Sequence, residues 1–239
     1  MDKKYDYQEL LEIIRILRSE NGCPWDRAQT HQSLITCLLE ESYELIEALQ
    51  NDDQKLMEEE LGDVLLQVLM HAQIADEAGT FNMEDVVNGI ASKLVHRHPH
   101  VFKGGQNLET AEAVKESWES IKQKEKKEET VTAGLERVAK TLPALMRTQK
   151  VQKKVLKAGD EKAHETGQID KLIEQLEQLK LLYMQETNVN FEGEIGEILF
   201  GVVKLSTFFD INAEFALTKS LEKFINRFRY IENSRFTQD

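Results

Sequence analysis

The sequence predicts an all-α protein built from two related halves. The chain holds only 3 Pro and 12 Gly in 239 residues, with 41% hydrophobic and 31% charged side chains. That is the composition of a mostly helical, soluble protein with few tight turns. Apolar residues recur at helical spacing in long runs, and the second half repeats the first.

The net charge of -13 argues against a nucleic-acid backbone or an anionic membrane as partner. It leaves an anionic small substrate open, because a bound cation inverts the local sign. Cys23 and Cys37 do not suggest a disulfide framework, no N-terminal segment resembles a signal peptide, and no apolar run is long enough to span a membrane. A cytoplasmic protein is expected.

Tyr7 to Arg18 reads as an amphipathic helix through Leu10, Leu11, Ile13, Ile14 and Leu17, stopping at Asn21 and Gly22. A loop runs from Gly22 through Cys23, Pro24, Trp25 and Asp26 to His31. Trp25 is expected as a lid on the core rather than a platform for a base, in a loop well placed to touch a ligand.

Two long runs come next, Leu34 to Gln50 and Leu56 to Glu77, joined by the polar turn Asn51 to Gln54. The first carries Glu40, Glu41 and Glu44 beside its apolar stripe, and the second carries Glu60 and Asp63. Residues three and four apart share a helical face, so an antiparallel pair would bring the carboxylates together. Val64, Leu65, Leu66, Val68, Leu69, Met70 and Ile74 leave the second run almost no polar face, the pattern of a helix buried on all sides.

Two like charges about 4 Å apart repel by roughly 4 kcal/mol at an effective dielectric near 20. Converging carboxylates would need protons or cations to offset this, and hard oxygen ligands without Cys or His suit Mg²⁺, or Mn²⁺, rather than zinc. The same spacing also suits a solvated acidic face, so the choice turns on burial.

Asn82 reads as the N-cap of a helix reaching about Arg97 and stopping near Pro99. Lys93 and Arg97 lie on one face, either answering the helix dipole or binding phosphate oxygens. The spacing of His96, His98 and His100 across a Pro fits no zinc arrangement. Thr110 caps a helix from Ala111 to about Glu129, with Trp118 and Lys122 four apart.

The Lys- and Glu-rich segment Gln123 to Gly134 reads as a boundary, drawn as a solvated continuous helix, which divides the chain into 1–130 and 131–239. Beyond it, Leu135 to Leu156 is expected to be helical with a break at Pro143, then a loop over Ala158 to Gly167. Helices are expected over Ile169 to Met184, Ile195 to Phe209 and Ala213 to about Ile231.

An offset of 134 residues sets Glu40, Glu60, Gly62 and Asp63 against Glu174, Glu194, Gly196 and Glu197, while Glu41 and Glu44 become Gln175 and Gln178. Lys93 and Arg97 pair with Lys223 and Arg227 after a four-residue deletion, and Trp118 and Lys122 find no counterpart. The second half keeps the pattern of the helices and loses the charges.

Taken together, GCPWD with QTH (Gly22 to His31), LLEESYE (Leu38 to Glu44), EELGD (Glu59 to Asp63), RHPHVF (Arg97 to Phe102) and WESIK (Trp118 to Lys122) resemble the MazG family of nucleoside triphosphate pyrophosphohydrolases. The resemblance implies duplicated helical units with a four-helix bundle core completed by a homodimer. It also implies Mg²⁺-dependent hydrolysis of nucleoside triphosphates to the monophosphate and pyrophosphate. By this likeness Glu41, Glu44, Glu60 and Asp63 would be the metal ligands. Cys37, Glu40, Glu59, Lys93, Arg97, Trp118 and Lys122 would form the substrate side, with Glu40, Glu41, Lys93, Arg97 and Lys122 taking part in catalysis. The degenerate half 131–239 would serve packing and dimerisation.

The rivals are weaker. Only Lys55 to Gly62 has the look of a Nudix box, and that fold needs strands; neither a Walker A loop nor a His-Asp dipeptide occurs. A helical regulator that binds nucleotide or a partner protein without turnover is the alternative from another class.

Overall fold

In the computed structural model, described over residues 3–104, 108–126, 130–158, 167–184 and 191–236, the regular elements are helices and no strand occurs among these residues. The chain divides into two compact units, Met1–Lys122 and Gln123–Asp239.

The first unit opens with α1 (Tyr7–Arg18), started by a capping box in which Asp6 and Glu9 bond each other's backbone N–H at 2.8 and 3.0 Å. The chain then turns back so tightly that the Cys23 N–H donates to the Leu17 carbonyl at 2.7 Å. A Cβ at Gly22 would stand 2.2 Å from the Ile16 carbonyl oxygen, so close backbone approach demands glycine here. The expected loop after Gly22 is partly helical: Pro24 begins a short helix, α2 (Pro24–Ala28), as its fixed φ favours at a first helical position. Trp25 is 61% exposed on it and does not lid the core, because this turn faces the ring to solvent.

The centre of the unit is a helical hairpin, α3 (Ile35–Asn51) and α4 (Gln54–Glu77). Asp52 takes the left-handed conformation (φ 53°) that ends α3, and the Asp53 carboxylate accepts from the Lys55 and Leu56 N–H groups at 3.1 Å to start α4. α1 packs on α4, and Ile14, Leu34, Leu69 and Met70 form the core with Leu10, Leu17, Cys37 and Ile74 around it. α5 (Met83–Arg97), started by the Asn82–Asp85 capping box, also packs on α4. Pro99 does not only stop α5 but begins the one-turn α6 (Pro99–Phe102). α7 spans Ala111–Lys126.

One expectation fails on α4. Leu61, Leu65 and Val68 are exposed, because α1, α3 and α5 cover the other sides of the helix and leave this stripe open.

The second unit has α8 (Val131–Glu136), α9 (Ala144–Lys157), α10 (Gln168–Met184), α11 (Phe191–Phe208) and α12 (Ala213–Phe236). Two boundaries differ from expectation. Thr130 caps α8 by accepting from the Ala133 N–H at 3.1 Å, so the segment before Leu135 is not one continuous helix with α7. The break expected at Pro143 is there, α9 starting at Ala144, but it is wider than expected, residues 137–143 forming a turn. The expected loop Ala158 to Gly167 lies almost wholly outside the described residues.

α10 and α11 form a hairpin, with α9 and α12 packed on α11, the same plan as α3, α4, α1 and α5. A buried polar relay holds it: Gln149 Nε2 donates to the Ile211 carbonyl at 2.6 Å, and Gln152 Nε2 to that of Phe200 at 3.0 Å. Among the described residues no helix is long and apolar enough to cross a membrane.

Candidate active site

The α3–α4 hairpin brings Glu41, Glu60 and Asp63 together, one carboxylate oxygen from each lying within 4.8 Å of the others. Burial is uneven. Glu60 is only 6% exposed, Glu41 and Asp63 are half-buried, and Glu40, Glu44 and Glu59 are exposed around them. Glu60 Oε2 is buried with no hydrogen-bond partner.

The electrostatics arise from that geometry. Burial pushes the Glu60 carboxyl above the ordinary carboxylate range, and Glu44, Asp63, Glu41 and Glu59 push it further. Glu41 is raised first by burial and then by Asp63, Glu44 and Glu40. Glu44 therefore acts on both of these carboxyls although it stands outside the close trio.

Of the expected substrate-side residues, Cys37, Glu40 and Glu59 lie on α3 and α4 beside the carboxylates, and Arg97 and Trp118 meet elsewhere in the unit. The Arg97 guanidinium lies over the Trp118 ring at 5.2 Å from its centroid, a cation–π contact that joins α5 to α7. His98 meets the same ring edge-on, its ring centroid 4.8 Å from that of Trp118, with Nδ1 2.7 Å from the Leu94 carbonyl. Lys122 pairs with Glu119 at 3.8 Å, while Lys93 is exposed and makes no ion pair among the described residues. Cys37 lies one turn before Glu41 on α3 and packs against the core.

A model of the MazG nucleotide pyrophosphohydrolase domain matches residues 29–102, the span holding α3, α4 and α5. Nucleoside triphosphate pyrophosphohydrolase/pyrophosphatase MazG of Thermotoga maritima is 40% identical over 226 residues, which cover 95% of this chain and 85% of that protein. This chain belongs to the MazG family. Nucleoside triphosphate pyrophosphohydrolase of Escherichia coli K12, a further relative of this MazG chain, is 38% identical over 226 residues, covering 93% of this chain and 86% of that one. YabN of Bacillus subtilis, described as an uncharacterized protein, is 43% identical over 231 residues, 96% of this chain but 47% of that longer protein.

The donor set of this MazG chain fits a divalent cation on its own chemistry. Three carboxylates, one orphaned and almost fully buried, are hard oxygen donors whose mutual repulsion a cation removes. Among the described residues no other group of three His, Cys, Asp or Glu side chains comes so close.

Sequence reasoning missed several members of this MazG unit. Arg18, its side chain 4% exposed, holds Glu77 of α4 through bonds of 2.9 and 2.7 Å and also donates to the Asp26 and Gln29 carbonyls. His31 and His71 stack at 5.1 Å with Nδ1 atoms 2.8 Å apart, tying the segment before α3 to α4. One ring donates and the other accepts; burial, then the His31 ring, pushes His71 below the usual imidazole range. An Arg in the last turn of α1 reads locally as an answer to the helix dipole, and two His 40 residues apart give no local signal.

Proposed function

We propose that this MazG protein hydrolyses ribo- and deoxynucleoside triphosphates to the monophosphate and pyrophosphate in a Mg²⁺-dependent reaction at the α3–α4 hairpin of its first unit, with Mn²⁺ able to substitute. The observation that carries this reading is the trio Glu41, Glu60 and Asp63, with an unpartnered buried carboxylate oxygen on Glu60. Glu44 completes the ligand set. When bound, the cation supplies Lewis acidity, lowering the pKa of a water and offsetting the charge that builds during attack on the α-phosphorus.

The chain's own groups do the rest. Glu40 or Glu41 takes the proton of the attacking water. Lys93, Arg97 and Lys122 neutralise phosphate oxygens, for which α5 and α7 supply the cations in this acidic chain. Trp118, in contact with Arg97 and His98, stacks on the base. Every base has a π-face, so specificity across bases is broad. Cys37 and Glu59 line the substrate side next to the carboxylates.

The segment 131–239, within the second unit, is a packing and dimerisation module, since Gln175 and Gln178 stand where the first unit has Glu41 and Glu44. The open stripe of Leu61, Leu65 and Val68 on α4 supports a bundle completed by a second copy. The relatives' printed names support an enzyme of nucleoside triphosphates, the net charge of -13 supports one that binds neither nucleic acid nor membrane, and its cytoplasmic role in the nucleotide pool rests on the sequence reading.

The test is release of pyrophosphate and monophosphate from eight natural nucleoside triphosphates with Mg²⁺, comparing the wild type with Glu41→Gln, Glu44→Gln. That pair copies the second unit's own residues. A fall in kcat/KM of about 100-fold or more, some 2.7 kcal/mol, with helicity intact is expected. Equal activity in both proteins would sink the ligand assignment, and metal binding without product release would favour a non-catalytic regulator.

A further inference from the structure

Gln67 is a buried polar residue that the proposed ligand set does not use. It lies one turn after Asp63 and two after Glu60 on the same face of α4. It is 5% exposed, and its Oε1 has no hydrogen-bond partner. An orphaned buried acceptor is costly. Helical side chains lean over the turn N-terminal to their own Cα, which directs the carboxamide back toward Asp63. Glu60 Oε2 is the other orphaned atom on this helix. Both atoms are acceptors, so a shared partner must be cationic or rich in donors; a hydrated cation is both.

The second unit serves as an internal control. At the same offset of 134 residues, Gln67 corresponds to Gly201 and Glu41 to Gln175. A Cβ at Gly201 would stand 3.0 Å from Gln175 Oε1, so there an amide from the opposite helix fills the space. The carboxamide of the second hairpin helix is present where Glu41 is a carboxylate and missing where its counterpart is Gln175, although Glu194 and Glu197 keep the carboxylates of Glu60 and Asp63. The control therefore ties Gln67 to Glu41, across the hairpin, rather than to the carboxylates of its own helix.

We propose that Gln67 is a positioning residue for the cation site, its Oε1 accepting a hydrogen bond from a water in the hydration shell of a divalent cation held by Glu41, Glu60 and Asp63. This rests on the metal-dependent reading above. Mg²⁺ and Mn²⁺ bound through carboxylates keep several waters, and outer groups that hold such waters typically change metal affinity about 10- to 100-fold.

The experiment titrates Mn²⁺ into the full chain without nucleotide, followed by electron paramagnetic resonance, for the wild type, Gln67→Met and Gln67→Glu. Thermal melts in EDTA run alongside. Gln67→Met, which removes the orphaned acceptor, is expected to melt at or above the wild-type temperature in EDTA while its Mn²⁺ affinity weakens roughly 10-fold. Gln67→Glu, which keeps the length and adds charge, is expected to tighten Mn²⁺ binding and decides the matter should the Met variant not fold. Wild-type affinity in both variants overturns the proposal and leaves the metal reading standing. No Mn²⁺ binding by the wild type overturns both.

Discussion

At the scale of single residues, the proposed ligand Glu60 stands where a carboxylate costs stability. Its carboxylate is buried among like charges, so Glu60→Gln is expected to raise the melting temperature in EDTA while abolishing the stabilisation that Mg²⁺ gives the wild type. A lower melting temperature in EDTA would mean that Glu60 is not under repulsion. The sign of the pH effect has the same cause. Glu41 and Glu60 are raised above the ordinary carboxylate range, so just above that range the folded, cation-free protein holds more protons than the unfolded chain. Their contribution to stability is fully present below the ordinary value and is lost as pH climbs through the raised ones. A cation held as proposed would keep both groups ionised and stabilised. Melting curves in EDTA and in Mg²⁺, taken at stepped pH, should therefore separate as pH rises through this interval and converge as it falls. A constant separation would count against these two carboxyls as ligands. Glu77, lowered by its bonds from Arg18, loses its contribution only at more acid pH in either buffer.

At the scale of elements, the hairpin depends on groups that hold its base. Arg18→Ala leaves Glu77 with only Gln73 and takes a donor from the Asp26 and Gln29 carbonyls, and urea unfolding should show a loss of about 3 kcal/mol; the half-exposed Glu77 keeps it at the lower end of that range. Gly22→Ala forces a Cβ against the Ile16 and Leu17 carbonyls and should cost about 2 to 3 kcal/mol by the same assay. Either variant matching the wild type would show that this reversal adapts freely. These are also the elements where sequence and structure part. The hairpin was legible because apolar spacing, a polar turn and carboxylates three apart are all local. α1, α3 and α5 begin or end within a residue of the expected positions. α2 and α6 were not legible, since Pro reads equally as a stop and as a first helical residue. The role of Arg18 depends on Glu77, 59 residues away, and the exposure of α4 depends on how many neighbours it has. Neither quantity is written in a local pattern.

At the scale of the whole molecule, large apolar side chains stay open on both units. Leu61, Leu65 and Val68 on α4, Val87, Ile90 and Leu94 on α5, and Leu217, Leu221, Phe224 and Phe228 on α12 are all exposed. Surfaces of this kind mark association, and light scattering is expected to give about twice the 27.6 kDa chain mass; a monomer at micromolar concentration would refute the homodimer. The pairing of Gly201 with Gln175 also governs where descendants of this duplication can go. A carboxylate restored at position 175 would stand against Gly201, with Glu194 and Glu197 already present as counterparts of Glu60 and Asp63. A glutamine restored at position 201 alone would compete with Gln175 for one space. On the proposed reading of this unit as a scaffold, the two positions are coupled: a side chain at 201 requires Gln175 to give way, so selection for packing alone keeps Gly201 and Gln175 together.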